Sequence, residues 1–136
     1  MVYLVSHQRF FVFQNMKRIL HYFICLVWLV NGLVCKVLNL APRHEEIVGQ
    51  LLSYNYARPL TLTIGILEIG MSIWIFTRLF PRLAAIFQML LVLSMNIIET
   101  IFVPELLLWG RWNLVFAMLF VGIIYVEAFV LKSAKT

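Results

Sequence analysis

Six glutamates and no aspartate form the whole acid inventory of this 136-residue chain, and three of them, Glu68, Glu99 and Glu127, lie inside long apolar runs. An ionisable side chain in such a run is costly and is a candidate functional group by default. Glu68 falls near the middle of its run, in a stripe of small or polar residues, Thr61, Gly65, Glu68 and Ser72, spaced i, i+4, i+7 and i+11. A mid-span carboxylate needs a cation, a proton or a ligand. Asn31 and Lys36 flank a strip holding Cys25, Trp28 and Gly32. Gln88, Asn96 and Glu99 project from one side of another run, and Asn113 and Glu127 share a face with Ala117 and Phe120. The candidate polar pocket is therefore Glu68, Asn31, Lys36, Asn96, Glu99, Trp28, Arg111 and Asn113. Burial disfavours a bare carboxylate there unless Lys36 or Arg111 comes close enough to hold it ionised.

Polar side chains between helices also serve only to tie them together, at about 0.6 kcal/mol each. That structural reading suits Gln88, Asn96 and Ser72 best, the functional one suits Glu68, and Glu99 stands between the two. No catalytic residue is assigned. Cys25 and Cys35 are ten residues apart on one run, roughly 15 Å in a helix, too far for a disulfide, which needs Cα atoms within about 7 Å. Of the three histidines only His21 lies in a span, so a bis-histidine haem has no second ligand. His44, beside Arg43, Glu45 and Glu46, reads as a surface or helix-start residue rather than a metal ligand.

The elements that must position these groups follow from composition. Apolar types make up 63% of the chain and charged types 12%, and the mean hydropathy is +0.96. A domain this small leaves much of its surface exposed, so the chain reads as an integral membrane protein in contact with the lipid bilayer. The net charge of +5 comes without a basic stripe, so no nucleic-acid partner is expected. A span takes about 20 apolar residues. Four runs qualify, at about residues 18–40, 59–80, 82–103 and 112–131, the third stopped by Pro104. The fold class is all-α, a four-helix transmembrane bundle covering residues 18–131.

Between the first two spans, Pro42-Arg43-His44-Glu45-Glu46 reads as a helix start, and Ile47, Val48, Leu51 and Leu52 recur at helical spacing. The segment is expected to be a short amphipathic interfacial helix. A tight turn around Pro81 joins spans two and three, and residues 104–111 with Gly110 join spans three and four. Arg9, Lys17, Arg18, Arg78, Arg82, Lys132 and Lys135 fall on one side, against Lys36, Arg43, Arg58 and Arg111 on the other. Both termini are thus expected in the cytoplasm. Asn31 and Glu68 then lie roughly 12–15 Å from the outer boundary, and the bundle is polar from its centre to its outer mouth, with Glu127 alone toward the inside. Trp74, Trp109 and Trp112 suit interfacial belts. Met16-Lys17-Arg18 reads as a natural start, leaving residues 1–17 as an extension and 132–136 as a tail. Nothing near the end of the first span resembles a cleavage site, so that span is expected to be retained.

This pattern resembles the DoxX-like membrane proteins over roughly residues 17–131. The residues that carry the likeness are the run Trp28-Leu29-Val30-Asn31-Gly32-Leu33-Val34-Cys35-Lys36, then Pro42-Arg43-His44, then Thr63-Ile64-Gly65-Ile66-Leu67-Glu68. The Pro104 loop and Arg111-Trp112-Asn113-Leu114 also fit, although a Lys-Asn pair often precedes the last helix in that family. The resemblance implies a bacterial inner-membrane protein, mostly of unknown activity, with some relatives linked to quinone-dependent sulfur oxidation or redox-stress complexes. Four-helix sterol-binding and isomerase membrane proteins are a more distant likeness in architecture.

Three functions compete, in this order. The first is an accessory, quinone- or redox-linked membrane subunit without a redox centre of its own, associated with a membrane or redox-complex partner. The second is a binder or isomerase of a lipid-like or quinone-like molecule using Glu68. The third is a proton-coupled transporter, for which a homo-dimer would be needed. No cofactor of the protein's own is expected, while a bound quinone or lipid is compatible with all three.

Overall fold

The computed structural model describes residues 1–107 and 110–131; Trp109, Lys132 and Lys135 fall outside them. Among the described residues the architecture is all-α. Helix α1 spans Val2–Leu29 and continues as a wider π-helical stretch over Val30–Val37. The short α2 covers Arg43–Leu51, α3 Ala57–Thr77 and α4 Pro81–Phe102, while α5 covers Trp112–Tyr125 and widens into a π-helical end at Val126–Val130. Four of these units are long and apolar enough to cross a bilayer.

Helix α1 starts well before residue 18, because nothing in residues 1–17 is proline or glycine and helical propensity continues unbroken. The 36-residue unit Val2–Val37 is about 54 Å long at helical rise, more than the hydrocarbon thickness of about 30 Å. Residues 2–13 of it are exposed throughout and project past the bundle. At the opposite limit, Arg58 donates from Nη1 to Lys36 O and from Nη2 to Val37 O, each at 2.8 Å. The carbonyls left open at a helix end thereby gain a cation, favourable to the helix dipole.

The α3–α4 turn falls at residues 78–80, just before Pro81 rather than around it. Helix α3 ends at Thr77 because Arg78 enters the left-handed region, at φ 59°, followed by Phe80 at φ 47°. The Trp74 indole donates to Leu79 O at 2.8 Å and holds this turn. Pro81 then opens α4, where its missing N–H costs little. Helix α2 follows its amphipathic pattern, with Glu45 and Glu46 in the first turn and Ile47 and Val48 buried. Ile47 packs on Val103 and Leu107, which lays α2 across one end of the bundle.

The interior inverts the pattern of a soluble protein. Helix α3 buries Thr61, Gly65, Glu68 and Ser72 while Ile66, Leu67, Ile73 and Phe76 are exposed. Outward apolar chains need no water in lipid, whereas inward polar ones must find partners. Thr61 donates to Ala57 O, and Ser72 donates across to Cys25 O at 2.8 Å. Gly32 and Gly65 let α1 and α3 meet backbone to backbone. A Cβ on Gly32 would lie 2.5 Å from Gly65 O, and one on Gly65 2.8 Å from Gly32 O. Small residues at such a crossing are the usual device for close packing in membranes.

Candidate functional site

The Gly32–Gly65 crossing sets the depth of the two residues beside it. A Cβ on Gly32 would sit 3.0 Å from Glu68 Cβ, and one on Gly65 2.9 Å from Lys36 Cβ, so both side chains start from the same contact. Lys36 Nζ donates to Glu68 Oε1 at 3.0 Å and to Oε2 at 2.8 Å. The side chains are only 6% and 10% exposed. An isolated charge buried at this depth is strongly unfavourable, and the pair answers it with two charge-assisted bonds. Lys36 stands in the π-helical stretch, and such widened turns recur at functional sites.

The pair forms part of the wall of a chamber of about 550 Å³ built from α1, α2, α3, α4 and α5. Ligand cavities commonly measure roughly 300–1,000 Å³. Glu68, Asn31, Lys36, Asn96, Glu99, Trp28 and Asn113 all line it. Arg111 does not; it caps the N-terminus of α5 and is exposed there. The partner of Glu68 is therefore Lys36. Asn113 Nδ2 donates to Asn96 Oδ1 at 2.7 Å, tying α5 to α4, and Asn96 Nδ2 donates to Val92 O. The Trp28 indole donates to Gln88 Oε1 at 2.9 Å and is buried. Glu99 lies within electrostatic range of Lys36, Arg43 and Glu68.

Two charged or titratable lining residues come from α2, Arg43 and His44. Sequence reading placed His44 at the surface or at a helix start; it is the second residue of α2 and also lines the chamber. Its helix buries the face of Ile47 and Val48, three and four positions on, so His44 points the same way; that spacing was the available signal. Burial, then the neighbouring charges of Lys36 and Arg43, hold its pKa down at about 4, and the ring is neutral at pH 7. Cys35 also lines the chamber.

The chamber is graded. The apolar lining residues lie farther from α2 than the polar ones on the same helix. Phe23 and Val27 precede Asn31 and Lys36 on α1, Val92 precedes Asn96 and Glu99 on α4, and Phe116 and Phe120 follow Asn113 on α5. Alongside this apolar end, Ile24, Cys25, Trp28, Ile75, Ala85 and Ile124 form a buried apolar layer. A second polar cluster follows at the α3–α4 turn. Arg78 Nε donates to His21 Nε2 at 3.4 Å, His21 Nδ1 stands 3.7 Å from Glu127 Oε1, and Lys17 Nζ donates to Leu131 O. Glu127, expected to be alone, thus has His21 beside it. Among the described residues no group of three or more His, Cys, Asp or Glu side chains is placed to share a metal ion.

The DoxX-like family profile matches residues 25–125. The chain belongs to the DoxX-like family. The matched span runs from Cys25 on α1 to Tyr125 on α5, so every helix of this DoxX-like bundle contributes to it, and every chamber-lining residue except Phe23 falls inside it. No curated protein and no solved structure matches the chain. It is a multi-pass membrane protein with four candidate spans.

Proposed function

We propose that this DoxX-like chain binds a small lipid-like or quinone-like molecule in the chamber, polar group toward Lys36, Glu68 and the asparagines, apolar part toward Phe23, Phe116 and Phe120. The single observation that carries this is the graded chamber of about 550 Å³ around a buried ion pair. Apolar walls with a few convergent polar groups are the general form of a small-molecule site. Binding is better supported than isomerisation by Glu68, whose carboxylate is already fixed in the wall by its ion pair with Lys36. It is also better supported than transport, for which four helices are few.

A role as an accessory subunit of a quinone-linked partner is the same site seen from outside, with a quinone as the occupant and the redox centre on the partner. The basic residues Arg9, Lys17, Arg18, Arg78 and Arg82 at the α3–α4 end support cytoplasmic termini in a bacterial inner membrane, with the chamber in the outer leaflet.

Native mass spectrometry of the protein released from gentle detergent tests this reading. The wild type is expected to carry a small apolar adduct, and Glu68→Gln to lose it while its helicity is unchanged. An adduct retained unchanged by Glu68→Gln contradicts the proposal.

A further inference from the structure

The helices surrounding the chamber are not packed equally. Helix α1 runs closely along α3, and α4 closely along α5, whereas α1 and α5 touch along a short stretch. Phe23 of α1 and Phe116 of α5 both line the chamber, and they are 45% and 47% exposed. A side chain can border a cavity and face the bilayer together only where the wall between them is one residue thick. Val27 and Phe120, half-buried, lie between them in depth, since the contact of His21 with Glu127 sets the register of the two helices.

The water-facing end is built differently. Helix α2 lies over it with Ile47 buried against Val103 and Leu107, and Arg58, fixed on the end of α1, reaches Glu45 of α2 at 3.8 Å. The polar end of the chamber is also balanced in charge. Lys36 and Arg43 face Glu68 and Glu99, and His44 is neutral at pH 7. With the cationic Nζ of Lys36 already engaged twice by Glu68 and Arg43 within electrostatic range of Glu99, an ionised head would enter among charges that already offset one another, at a large desolvation cost. A hydroxyl or carbonyl would find amide and charged hydrogen-bonding groups.

We infer that the chamber is loaded sideways from the bilayer through the α1–α5 seam, and that it selects an amphiphile whose head is polar but uncharged. This rests on the ligand-binding reading above and adds the route and the head-group class. Phe23, Val27, Phe120 and Phe116 line this seam in order of depth, with Phe23 and Phe116 its two exposed ends, and α2 is a fixed roof.

The test uses three probes with one chain and different heads: octadecanol, octadecyl sulfate and octadecyltrimethylammonium. Each is offered to the full chain in mixed micelles at pH 7.5, and occupancy and release are followed by native mass spectrometry. Octadecanol is expected to bind one per chain, about tenfold or more above either charged probe. Ala117→Phe, which fills the chamber from a buried lining position, is expected to abolish that binding. Release is expected to quicken about fivefold in Phe116→Ala, because portal changes act on dissociation. It should hold its wild-type rate in Val48→Ala, which loosens α2 without altering the lining. Phe23→Ala gives a second portal variant should Phe116→Ala fold poorly. Equal or tighter binding of a charged probe overturns the head-group assignment. Faster release in Val48→Ala but not in either portal variant overturns the route and leaves ligand binding intact. Binding of all three probes that ignores Ala117→Phe overturns both the inference and the reading beneath it.

Discussion

The bundle encloses one glutamate at mid-span and another near the α3–α4 end, and the two are treated in opposite ways. Glu68 receives two short bonds from Lys36 and borders a chamber walled by five helices. Glu127 meets His21 at 3.7 Å, too long for a hydrogen bond. Arg78 donates into the far nitrogen of the same ring, which places the ring proton on Nδ1, facing the carboxylate. The residue types in the two clusters are similar. What separates them is the close Gly32–Gly65 crossing, which locks one pair at depth and leaves space beside it. A polar cluster in a membrane bundle becomes a candidate site through its geometry and adjoining volume, and through composition only in part.

Removing one partner from each cluster should break the comparison most sharply. Lys36→Ala or Glu68→Ala leaves a buried charge unpaired and is expected to cost about 3–5 kcal/mol, read by thermal unfolding in detergent. The apolar double variant Lys36→Met with Glu68→Leu should recover most of that loss, and failure to recover would mean that the pair does more than neutralise itself. Next in size, Gly65→Ala places a Cβ 2.8 Å from Gly32 O and is expected to cost about 1–3 kcal/mol by forcing α1 and α3 apart. Gly70→Ala, with no atom within 4 Å of its added Cβ, is the matched control and should be close to neutral.

His44 gives the chamber end a pH signature. The unfolded imidazole takes up its proton near 6.5, while in the fold burial and then Lys36 and Arg43 hold the value at about 4. Between those values the unfolded state binds more protons, so stability falls as pH drops from about 6.5 to about 4 and is level above. Subtracting the melting profile of His44→Gln from that of the wild type should isolate this slope, and a flat difference would remove His44 from the buried wall. The smallest effect belongs to the other cluster. A double-mutant cycle on His21 and Glu127 should give a coupling of about 0.6 kcal/mol, against several for Lys36 and Glu68.

Much of the architecture was legible because membrane burial writes strong patterns. The stripe Thr61, Gly65, Glu68 and Ser72 named the inward face of α3, and Pro42 with two following glutamates marked α2. Lys36 and Glu68 could be suspected separately, but their pairing depends on a helix crossing that no local pattern encodes. The π-helical stretch over Val30–Val37 left no local signal either. Phe23 and Phe116 were invisible for another reason. On an apolar helix a phenylalanine at a portal reads like one facing lipid, and only the arrangement of α1 against α5 distinguishes them. Arg111 shows the converse error, where charge and position near a span end suggested a pocket and the cap of α5 turned it outward.

The claim that the chamber holds a ligand is tested most directly by filling it. Native mass spectra of wild type and Ala117→Phe, purified in parallel from the same membranes, should differ by one small apolar adduct, present in the first and absent in the second with helicity preserved. An adduct of equal mass and abundance in both would contradict the account.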